Sequence, residues 1–495
     1  MTGQSPWRGR VTASSLATVA WLCATALLCA GDGVFGSPAS WARPQPAVTV
    51  SQPTTPLVLP PAFLAAHQPP ANVPGGYTMS LTAVVGGRQV RASWTYLDGL
   101  PGLNSHVDAW LLATLDKAVA AASPYGGRYR PGMALNASPS QVPSLTVTAE
   151  PVLAGGTVVL FREKARDTGA DGKITESSET FTVDTVSGEV RRAVELLRPE
   201  ALDGIRSRVS GVPADIAAPA AKQPAPTDVV LGPAGELQVA TVQGPSRRAG
   251  ITTIPASDAE AMLNDAGRKV LAQLRSPAVT LPATAPALRH VNCDLVPCAA
   301  LTYDDGPDAK TTPQLLTILQ DQNAQATFFM TGANAAAHPA TARQVADAGH
   351  AIGNHTYSHP YLTKLTPAAV KSEMDRTDAA IRAATGSSPP LMRPPYGAAD
   401  AMVQAAVGKP LIIWAVDSLD WQSKNPALFV PKVLREITPG AVVLMHDVDP
   451  TTIAGQQELV TSLQTQGYQL VTVPQLFEGT PLLPGHVYRS RPERK

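Results

Sequence analysis

The sequence is short of cysteine, of aromatic side chains and of net charge. It holds four cysteines in 495 residues, and Cys23 and Cys29 fall within an N-terminal apolar stretch. Only Cys293 and Cys298 remain, so a zinc site built from two cysteine pairs has too few ligands. Lys+Arg and Asp+Glu both number 39, giving a net charge of zero. With no basic run either, an electrostatic nucleic-acid binder is excluded. Aromatics make up 5%, whereas proline is abundant at 47 residues, a balance that implies long extended linkers between folded parts. At this length the chain divides into two or three domains.

The opening, "MTGQSPWRGRVTASSLATVAWLCATALLCAG", has a positive region at Arg8 and Arg10 followed by an apolar run from Leu16 to Ala30. That run is short for a membrane span of about 20 residues, which favours a secretory signal. Extended back to Val11, it reads as an uncleaved anchor. Leu28 before Cys29 argues against a lipid-modified cysteine. Residues 1–36 are therefore expected to export the chain as a secreted or cell-surface protein, with any membrane contact confined to that anchor. In an oxidising compartment, Cys293 and Cys298 are expected to close a small disulfide loop.

Residues 37–75 are rich in Pro, Ala, Ser and Thr and read as a tether. Residues 76–274 alternate strand-like segments ("RQVRASWTYL", "SLTVTAEPVLAGGTVVLFREKAR", "SETFTVDTVSGEV") with helical spacing in "HVDAWLLATLDKAVAAA", predicting an α+β accessory domain. It carries no catalytic constellation, and His106 reads as a surface or core residue. Its "FTVDTVSGEV…AVELLRPEAL" and "TTIPASDAEAMLNDAG" segments resemble, in pattern, a domain of lysozyme-sensing anti-sigma factors. A second linker spans 275–290. From 291 to 483 βα units recur, with candidate strands "AALTYDD", "QATFFMTG", "HAIGNHT", "PPLMRPPYG", "PLIIWAVDS", "AVVLMHDV" and "YQLVTVPQL". The fold expected is α/β, an incomplete or distorted barrel of about seven strands, with functional residues at the strand C-termini. Residues 484–495 read as a tail.

Polar residues cluster at the ends of those strands: Asp304 and Asp305, His355 and His359, "RPPYG", "DSLDW" and "LMHD". Singly each has a bland explanation, since an Asp-Gly pair is usually a turn and two histidines four apart fit one face of a helical turn on a surface. Together they hold the parts of a hydrolytic metal site. Two imidazoles and a carboxylate leave coordination positions open, and acid–base work needs a proton acceptor and a proton donor besides.

With "TYDDGP", "HTYSH", "RPPY", "DSLDW" and "LMH" in this order across 302–446, the chain resembles the polysaccharide deacetylases of carbohydrate esterase family 4, the NodB-like domain, over roughly 293–478. Tyr303 departs from the family, which usually has Phe there. The resemblance implies a divalent metal on Asp305, His355 and His359, with Zn²⁺ first and Co²⁺, Mn²⁺ or Ni²⁺ as alternatives. It implies Asp304 as general base paired with Arg393, and His446 as general acid oriented by Asp420. The backbone N–H of Tyr396 would hold the oxyanion, Trp421 and Leu444 would wall the acetyl pocket, and Asp417 would play a supporting part. No serine sits in a G-x-S-x-G context, which argues against a serine esterase. The substrate implied is a cell-wall glycan, peptidoglycan N-acetylglucosamine foremost. Chitin oligomers, acetylated xylan or another surface polysaccharide are the enzymatic alternatives, and a wall-binding or lysozyme-sensing module is the non-enzymatic one.

Overall fold

In a computed structural model of the protein, the described residues are 73–494, apart from 74, 86–87, 123–126, 137–143, 170–171, 173, 211–225, 244–247, 277 and 283–288. The expected export segment, nearly all of the tether, the 211–225 stretch and part of the second linker thus lie outside the described residues. Among those described, no helix is long and apolar enough to cross a membrane.

The first part of the chain builds two sheets. Strands β1 (Gly76–Val85), β2 (Arg88–Leu97), β3 (Leu145–Gly155), β4 (Val158–Thr168), β5 (Ile174–Asp184) and β6 (Val190–Arg192) pair in sequence order. All neighbours are antiparallel except β2 and β3. The parallel pair is the one joined by a long crossover, which holds the helix Pro101–Ala122, as parallel pairing requires. Leu103, Val107, Leu111, Leu115 and Val119 recur at i+4 and are all buried, so one stripe of the helix faces the core. Strands β7 (Pro226–Leu231), β8 (Leu237–Gln243) and β9 (Arg248–Ile254) form a smaller antiparallel sheet.

The second part is a parallel sheet centred on β10 (Cys298–Asp304), every residue of which is buried. Its neighbours are β11 (Ala326–Met330) and β15 (Val442–His446), and β16 (Gln469–Leu470) pairs its N-terminal end. Beyond β11 lies β12 (Ala351–Asn354), and beyond β15 lies the short β14 (Val416–Asp417). A two-stranded pair, β13 (Leu411–Ile412) with β17 (Val487–Tyr488), is parallel as well. Buried on both faces, such strands are near-continuous apolar runs, as "CAALTY" and "ATFFM" are.

Two expected strands come out differently. "PPLMRPPYG" reduces to single bridges from Met392 to Asn354 and Leu411, because its prolines lack the N–H that a ladder requires. "PLIIWAVDS" breaks into β13 and β14 around Trp414. Cys293 and Cys298 are disulfide-bonded, closing the entry to β10. One buried apolar cluster runs from Trp94, Leu103 and Leu111 of the first part to Leu295, Ala300 and Phe477 of the second. Hydrogen bonds join the two parts as well: Tyr129 Oη donates to the Leu295 carbonyl at 2.9 Å, and Asp108 Oδ2 lies 2.7 Å from His290 Nε2.

Candidate active site

Each of the five motifs sits where a parallel strand or its bridge ends. Asp304 is the last residue of β10 and His446 the last of β15, and the two are register partners on adjacent strands. His355 follows β12 directly, Arg393 follows the Met392 bridge, and Asp417 closes β14. Alternation along a strand separates neighbouring side chains, and the chain adds a turn. Asp304 keeps the strand conformation and is buried, whereas Asp305 has φ 74° and emerges into a partly exposed position. The carbonyl of Asp305 accepts from Asn334 Nδ2 at 2.7 Å, which fixes that turn from the short helix Gly332–Ala337 that follows β11.

Asp305, His355 and His359 offer ligand atoms that all lie within 4.8 Å of one another. His355 Nε2 is 3.5 Å and His359 Nε2 3.4 Å from Asp305 Oδ1. The pairing of the two histidines is not helical, contrary to the i, i+4 expectation. Thr356 and His359 adopt φ 65° and 58°, and these left-handed turns, not a helix, bring the rings to 4.9 Å between centroids. Buried Glu373 holds the loop by accepting from the N–H groups of Tyr357 and Ser358, each at 2.8 Å. His355 Nδ1 donates to the Arg393 carbonyl at 2.8 Å, which leaves Nε2 as the free lone pair. Burial first, opposed by Asp305, takes this imidazole down to about 3, so it is neutral at physiological pH. A neutral ring, a second ring and an anionic oxygen converging on one point suit a divalent cation.

Two charge pairs share these strand ends with the triad. Arg393 Nη1 donates to Asp304 Oδ1 at 2.7 Å, and its Nε donates to the Ile412 carbonyl at 2.9 Å. The guanidinium is fully buried, with its central carbon 4.2 Å from the Phe329 ring centroid. Burial pushes the Asp304 carboxyl above its ordinary value, against the pull of Arg393 and then of His446. In the second pair, Asp420 Oδ1 lies 3.0 Å from His446 Nδ1, and Oδ2 accepts from the His446 N–H at 2.8 Å. Ser418 Oγ and Thr452 Oγ1 donate to the same carboxylate at 2.9 and 2.7 Å. Burial would raise Asp420, but the hydrogen bonds from His446, Thr452 and Ser418 outweigh it and hold it below the ordinary range. His446 is the converse: burial pulls it down, yet Asp420, with Asp304 and Asp305 behind it, pushes it up to about 9.

Tyr396, in a left-handed conformation at φ 61°, is exposed beside His359, and its hydroxyl lies 3.2 Å from Nδ1 of that ring. Trp421 is half exposed and Leu444 is buried on β15. Asp417 Oδ1 accepts from the Leu419 N–H at 2.9 Å, a turn-making bond. Tyr303, the departure from the family pattern, buries its hydroxyl against Gln456 Oε1 at 2.7 Å, so the extra oxygen is satisfied. Ser418 lies within the "DSLDW" motif, whereas Asn334, Glu373, Thr452 and Tyr361 are supports that motif reading does not reach. What marks them is a contact across the fold, and no spacing rule picks them out. His106, His338, His350 and His486 stay outside the site. His350 is buried and accepts from the Ala326 N–H at 3.2 Å, and His106 pairs with Glu163.

Three side chains able to hold a metal, a buried acid–arginine pair and an acid–histidine pair are together the parts that a hydrolytic acyl-transfer centre requires. A family model described as polysaccharide deacetylase matches residues 292–409. The chain is 35% identical over 186 residues to a peptidoglycan-N-acetylglucosamine deacetylase of Bacillus cereus, covering 36% of this chain and 68% of that protein. It is 35% identical over 194 residues to a chitooligosaccharide deacetylase of Bradyrhizobium, covering 36% and 89%. With a peptidoglycan-N-acetylglucosamine deacetylase of Listeria monocytogenes it shares 40% identity over 178 residues, covering 36% of this chain but only 38% of that one. The chain belongs to the polysaccharide deacetylase family.

Proposed function

We propose that the protein is a metal-dependent hydrolase that removes N-acetyl groups from a cell-wall polysaccharide, peptidoglycan N-acetylglucosamine first among them. The observation that carries this is the Asp305, His355 and His359 cluster at the same strand ends as the Asp304–Arg393 and Asp420–His446 pairs. A divalent cation held by those three residues, Zn²⁺ foremost, would supply Lewis acidity to the acetyl carbonyl and to an attacking water. Asp304, aimed by Arg393, takes the proton of that water. His446, charged at neutral pH and oriented by Asp420, gives a proton to the departing sugar amine. The Tyr396 N–H donates to the oxygen that becomes negative. Trp421 and Leu444 enclose the acetyl methyl, and Asp417 shapes the turn that carries Asp420. Acetate and a free amine leave, and no covalent intermediate is needed.

Relatives act on different glycans, as the Bacillus, Listeria and Bradyrhizobium names show, and fold alone does not choose among them. The N-terminal apolar stretch and tether favour an extracytoplasmic wall substrate. We read 76–274 as an accessory domain and 291–483 as the deacetylase domain, the latter an incomplete barrel. Support for the barrel comes from 411–417, whose first residues bridge to Met392 and whose last pair with β15. The test is acetate release from purified peptidoglycan, chitooligosaccharide and acetylxylan, each with and without chelator. Release that is chelator-sensitive and fastest on peptidoglycan supports the proposal, whereas no release from any of the three favours a wall-binding module.

A further inference from the structure

The two candidate histidine ligands are held very differently. His355 is 2% exposed and tied through Nδ1 to a backbone carbonyl. His359 is 30% exposed, and its Nδ1 lies against the hydroxyl of Tyr396, a side chain that is itself 53% exposed. An exposed tyrosine fixes nothing unless it is fixed in turn. Here Tyr361 stacks on Tyr396 with centroids 3.9 Å apart and planes inclined by 14°. The Lys364 ammonium lies 4.6 Å from the Tyr361 ring centroid, a favourable cation–π position. Tyr361 and Lys364 flank Leu362, whose fully buried side chain anchors the short turn that follows His359. The chain therefore folds back on its own ligand.

We infer that the Tyr361–Tyr396 stack is the outer support of His359, fixing its ring so that Nε2 faces Asp305 and His355. Tyr396 and Tyr361 are positioning residues in this respect. The inference rests on the metal site proposed above and adds the support of its most exposed ligand. Outer partners of a ligating imidazole hold its tautomer and orientation, and losing one typically costs about 10–100-fold in metal affinity. Two exposed tyrosines beside a glycan site would ordinarily be read as open stacking faces for sugar. These rings are engaged with each other and with Lys364 instead.

The test uses the full chain and Zn²⁺, with the dissociation constant measured by competition against a chromogenic chelator and the unfolding temperature followed with and without metal. Tyr396→Phe keeps the stack but loses the hydroxyl, and is expected to weaken Zn²⁺ binding by about 10–100-fold. Tyr361→Ala loses the stack and is expected to weaken binding by a smaller factor, while Tyr361→Phe restores wild-type affinity. A merely structural role would lower the metal-free unfolding temperature and leave the metal-induced rise intact; the inference requires the reverse. Should Tyr361→Ala not fold, Tyr361→Leu takes its place. Wild-type affinity in both Tyr396→Phe and Tyr361→Ala overturns the inference while leaving the metal site standing. A wild-type chain that binds no Zn²⁺ overturns the metal site and the inference with it.

Discussion

Replacing Asp420 with Asn separates two jobs that the carboxylate performs for His446. In the native chain the imidazole is held up at about 9 from an ordinary 6.5, chiefly by Asp420 acting against burial. An amide at this position would preserve the shape and much of the hydrogen bonding but remove the charge, so the imidazole falls back to about its ordinary value. At pH 8 the protonated fraction would drop from about nine-tenths to a few hundredths, a loss of ~30-fold in the acid form, whereas at pH 6 the change is slight. Misorientation of the ring adds a further loss at every pH. The informative quantity is therefore the ratio: kcat/KM of the variant relative to wild type should be ~20-fold worse at pH 8 than at pH 6. The same substitution should flatten part of the pH dependence of stability. A group whose folded value lies above its unfolded one contributes fully below pH 6.5 and loses that contribution as pH rises through about 9, here on the order of 3 kcal/mol. Acetate release across a pH series from about 5.5 to 9.5 and thermal unfolding over the same range read both effects. An equal loss at pH 6 and pH 8 would refute the assignment of His446 as a proton donor poised by Asp420.

Asp304→Asn should retain the metal, measured by elemental analysis, and lower acetate release by at least ~10²-fold, the usual scale for losing a general base. Arg393→Met leaves the Asp304 carboxylate buried without its partner and should destabilise folding by ~3–5 kcal/mol. The double variant with Asp304→Asn should recover much of that in denaturant melts. Gly306→Ala would drive a methyl group into Asp447 Oδ1 and to 2.7 Å from its Cγ. Because Asp447 is fully buried, the clash should cost ~1–3 kcal/mol in thermal unfolding.

Much of the candidate centre was legible because strand-end chemistry is local. Asp304 and His446 end apolar runs that could only be buried strands, and the structure places both there, side by side in register. The adjacent carboxylates separate as alternation requires, helped by a left-handed turn at Asp305 that spacing alone does not reveal. Geometry between motifs was less legible. The two histidines meet through left-handed turns at Thr356 and His359, where i, i+4 spacing pointed to a helix. The fourth candidate strand became single bridges at Met392, because its prolines deny it a ladder. Supports such as Glu373, Thr452 and Tyr361 left no trace in the sequence, since what makes them supports is a contact across the fold and not a pattern along the chain. In the first part, the apolar stripe of the 101–122 helix announced itself, while its packing into one cluster with Leu295 and Phe477 did not.

The most direct measurement is the stoichiometry of products from purified peptidoglycan treated with the metal-loaded protein, the chelated protein and Asp304→Asn. A deacetylase of the kind proposed should release acetate and expose free glucosamine amines in equal amounts. Chelation should abolish both, restored Zn²⁺ should bring both back, and neither should appear with Asp304→Asn. Acetate without new amines, or undiminished release from the chelated protein or from Asp304→Asn, would contradict it.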